Sequence, residues 1–162
     1  MEIRSATLSD AETMRQIYNI EVLTTTVTFD LVERTEAEQH EWILEHQGVY
    51  PAVVALDFEK VIGFASLSPY RPRPAYSTTA EDSIYVAQFA RGRGVGSALL
   101  GEIVERAGSH GFHAIIARIV GDHQASIGLH QRHGFELVGI EREVGRKFGR
   151  WLDVALMQRM ID

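Results

Sequence analysis

Apolar positions recur along this chain with two periods, and the alternation between them outlines its elements. Residues 2–7 suit a short strand. Ser9-Asp10-Ala11-Glu12 fits a capping box with Ser9 at the N-cap and Glu12 at N3, and Met14, Ile17, Tyr18 and Val22 follow at helical spacing. A Thr-rich segment, residues 24–29, has poor helix propensity. A second capping box, Thr35-Glu36-Ala37-Glu38, opens a helix toward Gln47 whose Glu36, Glu38, Glu41 and Glu45 read as a solvated face. The β-branched runs 51–56 and 61–67 flank Asp57-Phe58-Glu59-Lys60 and read as a hairpin. Residues 83–86 read as a strand. Glycines at 92–96 lead into a helix with Val95, Leu99, Ile103 and Ala107 at every fourth position. Residues 114–120 form another strand, Asp122 can cap a helix running to about Arg132, and Gly134 ends it. Residues 135–144 and 151–160 read as two final strands. Hairpins mixed with crossovers give a mixed α/β chain, not the even alternation of a doubly wound fold.

Length and composition narrow the function. The 162 residues fit one domain, 1–162, with no linker or repeat. Lys and Arg total 16 against 22 Asp and Glu, a net charge of −6, which disfavours a general nucleic-acid binder. With no cysteine, disulfide frameworks, thiolate metal sites and cysteine nucleophiles are excluded. The seven histidines show no metal-ligand spacing, so no metal is expected. The start of the chain lacks a signal-peptide pattern and no apolar run spans a bilayer, so the expectation is a cytoplasmic protein with no membrane partner.

Arg91-Gly92-Arg93-Gly94-Val95-Gly96-Ser97, between a strand and a helix, carries the most information. Glycines let the backbone approach a ligand, and the first helical amides attract a phosphate or pyrophosphate. Arg91 and Arg93 add charge-assisted hydrogen bonds. The turn has no lysine and is no P-loop; counted from Gly92 or Gly94, the sixth position is Ser97 or Leu99, so the dinucleotide fingerprint fails too. Taken alone, a tight turn with solvated arginines is the competing reading.

Arg91-x-x-Gly94-x-Gly96 resembles the acyl-CoA pyrophosphate loop of the GNAT acetyltransferases, and residues 125–135, ending Arg132-His133-Gly134-Phe135, resemble that superfamily's second signature. Tyr18-Asn19, the Thr-rich segment ending at Phe29, Trp42-Ile43, Glu81-Asp82-Ser83-Ile84-Tyr85-Val86, Ser126 with His130, and Gly149-x-Trp151-x-Asp153-Val154 resemble the phosphinothricin N-acetyltransferase family over nearly the whole chain. The resemblance implies a mixed, mostly antiparallel sheet of about seven strands with about four helices. It also implies acetyl-CoA as co-substrate, a small amino acid or analogue acetylated on its α-amino group, a detoxifying role and a homodimer.

By that resemblance Glu81 is the general base, and Asp82, beside it on the opposite strand face, is a weaker candidate that a register slip would exchange with it. His130 stands where many GNAT enzymes carry a tyrosine acid for the CoA thiolate; an inert, hydrogen-bonded histidine is the alternative. Ile84, Tyr85 and Val86 are expected along the acyl carrier, where the fold splays two parallel strands and a backbone amide meets the thioester carbonyl. The loop residues Arg91, Gly92, Arg93, Gly94, Val95, Gly96 and Ser97 hold the pyrophosphate, and Ser126 and His123 meet the pantetheine. His123 replaces the family's usual asparagine, which puts that contact in doubt. Arg71, Arg73 and Tyr76 are candidates for the substrate's anionic groups and Phe29 for the acyl pocket; an exposed loop and a core phenylalanine are the alternatives. Arg146, Lys147 and Arg150 read best as a basic hairpin turn. Without a protein thiol, direct attack of the amine in a ternary complex is the simplest route. Acetylation of another amine (polyamine, aminoglycoside or protein N-terminus) and a non-catalytic CoA-binding module are the other two readings.

Overall fold

The computed structural model describes residues 1–161. Its frame is a seven-stranded sheet in the order β1-β2-β3-β4-β5-β7-β6. The strands are β1 (Glu2–Ser5), β2 (Ala52–Asp57), β3 (Lys60–Pro69), β4 (Thr79–Val86), β5 (Ala114–Val120), β6 (Glu136–Lys147) and β7 (Arg150–Met160). The helices are α1 (Ala11–Thr24), α2 (Glu36–Glu45), α3 (Val95–Ser109) and α4 (Gln124–Arg132). β4 and β5 run parallel and every other neighbouring pair is antiparallel, so the sheet is mixed and mostly antiparallel, as expected.

The periodicities land where the core needs them. Met14, Ile17, Tyr18 and Val22 of α1 and Val95, Leu99, Ile103 and Ala107 of α3 are buried. β3, apolar from Val61 to Leu67 except for the buried Ser66, buries both faces, with α1 and α3 packed on it. The four glutamates of α2 face solvent, and the Thr35 hydroxyl caps that helix by accepting from the Glu38 amide at 3.2 Å.

Some boundaries move for identifiable reasons. The first capping box is built from Thr7 and Asp10, not Ser9 and Glu12. Asp10 accepts from the Thr7 amide at 2.8 Å and takes the Arg4 guanidinium through two bonds at 2.7 and 2.9 Å, so a short 3-10 turn, Leu8–Asp10, precedes α1. Asp122 does not cap α4; it accepts from Arg150 at 3.0 Å, and His123 occupies the N-cap without a side-chain bond. β4 begins at Thr79 instead of residue 83. β6 runs on to Lys147 through two irregularities of register, at Leu137/Gly139 and Glu141/Gly145.

One feature of the sheet positions everything that follows. β3 holds β4 along its length, from Pro69 opposite Ala80 to Gly63 opposite Val86. β5 pairs with β4 only over Thr79–Glu81, opposite Ala114–Ile116. Past Glu81 the two strands part, and the backbone groups of residues 82–86 on that edge are left for another partner. The observed parting agrees with the splay expected between two parallel strands.

Candidate active site

The parting of β4 and β5 opens a cleft of about 520 Å³. Of the residues expected to hold an acyl carrier, Ile84, Tyr85, Val86, Arg91, Gly92, Gly94, Val95, Gly96, Ser97, His123 and Ser126 line it, as does His130. At one end the turn before α3 takes positive φ at Gly92 (74°) and Gly94 (81°), conformations in which a side chain would be strained. That backbone aims the first amides of a 15-residue helix at the cleft, where they and the helix dipole favour an anion. Arg91 borders the same end; its Nε donates to the Val86 carbonyl at 3.3 Å and its guanidinium pairs with Glu21 of α1. The donor set suits a pyrophosphate and the narrow gap suits an extended arm, so the residues present fit acetyl-CoA.

Arg93 is the loop residue the structure sets apart. It does not line the cleft and instead pairs with Asp57 at the β2–β3 turn, 2.9 Å away, with about half its side chain exposed. Ser97 borders the cleft with its hydroxyl 2.8 Å from His133 Nε2. His123 is half-buried there, and burial, then the Arg91 charge, push its imidazole below the ordinary value.

At the other end of the parting, consecutive residues of β4 face opposite ways. Asp82 enters the face shared with α4, where its Oδ2 lies 2.8 Å from His130 Nε2. The two side chains are 1% and 5% exposed. His130 Nδ1 meets the Ser126 carbonyl at 2.8 Å, and the Phe135 ring packs edge-on against the imidazole. Burial alone would depress the His130 pKa, but the Asp82 hydrogen bond and charge, with the Ser126 carbonyl, outweigh it and lift it above 6.5. Glu81 faces the opposite way and does not touch His130. Arg118 Nε is 3.8 Å from it, beyond hydrogen-bond distance, while the same guanidinium binds Glu141 at 2.7 Å. Burial lifts the Glu81 carboxyl above its ordinary value; Arg118 opposes this and the Asp82 charge adds to it. A carboxyl with a raised pKa thus stands across one strand from the Asp82–His130 pair, at the last rung before β4 and β5 part.

The remaining candidates lie further out. Arg71, Arg73 and Tyr76 line a separate exposed hollow on the loop between β3 and β4, two residues of strand from Glu81. Arg71 stacks over the Tyr70 ring, 5.0 Å to its centre. Phe29 is 40% exposed and rests its ring against Gly145 of β6, where a Cβ would come within 2.4 Å of it. Lys147 is not a solvated turn residue: it is buried, its Nζ donates to the Thr28 carbonyl at 2.9 Å, and burial pulls its pKa down against the charges of Asp30 and Glu21. Arg146 covers the Trp151 ring at 4.6 Å. Among the described residues no group of three or more His, Asp or Glu side chains is placed to hold a metal, and no helix is long and apolar enough to cross a membrane.

Two contributors escaped the sequence reading. Glu21 is 2% exposed at the cleft wall, where it binds the Thr25 hydroxyl at 2.8 Å and neutralises Arg91. Its spacing gives it away, since it falls one turn beyond Ile17 on the apolar stripe of α1. The Asp82–His130 pair joins positions 48 apart, and no local pattern announces it.

Comparison with known proteins agrees with this geometry. Residues 3–156 match the family model described as an acetyltransferase (GNAT) domain. The phosphinothricin N-acetyltransferase of Streptomyces coelicolor is 40% identical over 98% of this chain and 95% of its own. An L-methionine sulfoximine/L-methionine sulfone acetyltransferase of Pseudomonas aeruginosa is 40% identical over 99% of this chain and 94% of its own. The crystal structure of a GNAT superfamily phosphinothricin acetyltransferase from Sinorhizobium meliloti in complex with AcCoA is 44% identical. It superposes with a TM-score of 0.96 over 99% of this chain and 88% of that one.

Proposed function

The chain belongs to the GNAT acetyltransferase family, and we propose that it acetylates the α-amino group of a small amino acid or analogue by direct attack within a ternary complex. It is an acetyl-CoA-dependent N-acetyltransferase, and acetyl-CoA supplies the acetyl thioester. The proposal is carried by one observation: the anion-binding turn and the Asp82–His130 pair lie along the cleft that opens where β4 leaves β5, with Glu81 on the last paired rung beside it.

The residues divide the chemistry as follows. The amides at the start of α3 and Arg91 bind the pyrophosphate. The unpaired edge of residues 82–86 aligns the pantetheine arm and presents a backbone amide near Tyr85 or Val86 to the carbonyl oxygen. Glu81, its pKa raised toward the working range, takes a proton from the ammonium or its water. The amine nitrogen bonds to the carbonyl carbon as the carbon–sulfur bond breaks; the sulfur's electron pair takes a proton from His130, and the second proton shed by the new amide nitrogen passes to solvent, from which His130 is reloaded. Nothing needs a covalent acyl-enzyme, and the chain has no cysteine to form one.

Small anionic amines are favoured by the loop at the start of β4. Arg71 and Arg73 can fork onto a carboxylate or phosphinate, and they would repel a polyamine or an aminoglycoside. The relatives named for phosphinothricin and for methionine sulfoximine and sulfone support that class and a detoxifying role. A homodimer fits one outer strand: β6 is an edge of the sheet, with β1 at the other, and exposes Leu137, Val138, Ile140 and Val144, a length of apolar edge that a second copy would cover.

The test is CoA release from acetyl-CoA with a panel of phosphinothricin, methionine sulfoximine, methionine sulfone, ordinary amino acids, spermidine and an N-terminal peptide. Turnover confined to the first group and its close analogues is the expected result. Preference for spermidine or peptide would reject the substrate class, and acetyl-CoA binding with no turnover on any amine would favour the regulatory module. Light scattering should give twice the chain mass.

A further inference from the structure

We propose that Asp82 is a positioning residue for catalysis, holding His130 as a doubly protonated imidazolium at the pH where the amine substrate is free to react. The inference rests on the role given to His130 above, and it adds a residue with no assigned part in the reaction.

The partners of the His130 ring nitrogens assign its protons. A carbonyl oxygen only accepts, so His130 Nδ1, 2.8 Å from the Ser126 carbonyl, must carry a hydrogen. Nε2 faces the Asp82 carboxylate at 2.8 Å, and an imidazole is the stronger base of the two, so Nε2 carries one as well. Both ring nitrogens therefore donate, each to a fixed acceptor. The other Asp82 oxygen, Oδ1, is buried without any hydrogen-bond partner. Its carboxylate charge is accordingly directed to one cation, and a buried charge of this kind holds its partner's proton strongly.

This solves a mismatch of pH ranges. An α-amine sheds its proton near or above pH ~8, whereas an unassisted imidazole is mostly neutral above ~6.5. A lone His130 would have given up its proton under the conditions in which the nucleophile exists. With Asp82 beside it, His130 stays loaded; His130 borders the cleft, so its Nε2 hydrogen can be shared between Oδ2 and the leaving sulfur, and once it passes to sulfur the lone pair left facing the carboxylate favours recapture of a proton. The other charged or titratable groups around the ring are Arg132 and His133 at the end of α4, His123 at its start, and Glu81 with Arg118 on the opposite face of β4 and β5. None of them is an acceptor within hydrogen-bond distance of His130.

The test uses Asp82→Asn, which keeps the size and one acceptor and removes the charge. Histidine 15N spectra of the full-length protein without ligand should show both His130 nitrogens protonated at pH 8 in the wild type and only Nδ1 protonated in the variant. In turnover, the alkaline limb of the kcat profile should move down by about one pH unit or more, so the ratio of kcat at pH 8.5 to that at pH 6.5 falls about tenfold. A neutral His130 at pH 8 in the wild type overturns the proposal, and that measurement needs no variant to fold. A variant slowed by the same factor at every pH also overturns it, because a purely structural role predicts that. Failure of the parent reading looks different: His130→Gln would then keep the wild-type alkaline limb, while the 15N spectra would still report on Asp82.

Discussion

Two adjacent residues of β4, Glu81 and Asp82, are both carboxylates, and the fold treats them in opposite ways. Asp82 is sealed against α4, with the His130 imidazole on one oxygen. Glu81 is about one-third exposed, with its nearest cation engaged elsewhere. The strand alternates their direction, and the parting from β5 begins between them, after Glu81, so that Asp82 lines the cleft and Glu81 stands on its last paired rung. A carboxylate already committed to a partner is suited to holding another group's proton. One lifted by burial and left without a firm partner is suited to taking a proton from a substrate. Function here follows from environment, because the side-chain chemistry is the same.

The sharpest way to break this comparison is Glu81→Gln. If Glu81 is the base, kcat falls about 10²–10⁴-fold while the Kd for acetyl-CoA, measured by calorimetry, stays at the wild-type value. A loss under threefold would transfer the role to water or to another group. Next in size is the cost of opening the sealed face. His130→Gln leaves the Asp82 carboxylate, 1% exposed, without its cation. Breaking a buried pair from one side costs about 3–5 kcal/mol, a drop of roughly 10 °C in Tm for a chain of this length. The double variant with Asp82→Asn should recover part of that loss. Glu81→Gln should show no comparable drop, and a drop of equal size would erase the distinction between the two faces.

Much of this was legible in the sequence because it depends on local pattern. The glycine turn, the stripes of α1 and α3 and the buried β2–β3 hairpin need only neighbours within a turn or a strand. Even the opposition of Glu81 and Asp82 follows from the period of two. What could not be read depends on distance along the chain. Asp82 meets His130 only because α4 crosses the parted strands, and Glu21 meets Arg91 only because α1 packs beside the turn. Asp122 and Arg93 left their expected roles for the same reason, each drawn to an opposite charge on a remote turn.

A smaller effect should separate the two faces by substrate. Gly145 leaves room for the Phe29 ring, and a Cβ there would lie 2.4 Å from it. Gly145→Ala must therefore displace the ring or the strand, at about 1–3 kcal/mol of stability. Phe29 lines neither hollow directly, and if it borders the acyl pocket through Gly145, the KM for the amine should rise several-fold more than that for acetyl-CoA. Equal changes in both would take Phe29 out of the substrate pocket.

The smallest effect concerns stability against pH, and the two faces should divide it into separate windows. Both Glu81 and His130 have folded-state values above their unfolded ones, so the folded protein binds the extra proton between each pair of values. Each contribution is fully present below the unfolded pKa and fades as pH rises through the folded one. For Glu81 the decline starts near 4.5, the ordinary carboxylate value, and for His130 near 6.5. Glu81→Gln removes a group that pays to ionise, so its Tm should match the wild type at pH 4 and exceed it by about 1–3 °C at pH 7. Asp82→Asn should narrow the acid window slightly, since it removes a charge that adds to the Glu81 shift, and abolish the decline that begins at 6.5. Thermal melts across pH 4–9 on both variants read the two windows directly. A Glu81→Gln curve parallel to the wild type throughout would mean that burial does not raise this carboxyl, and the base would then lack the environment that sets it apart from Asp82.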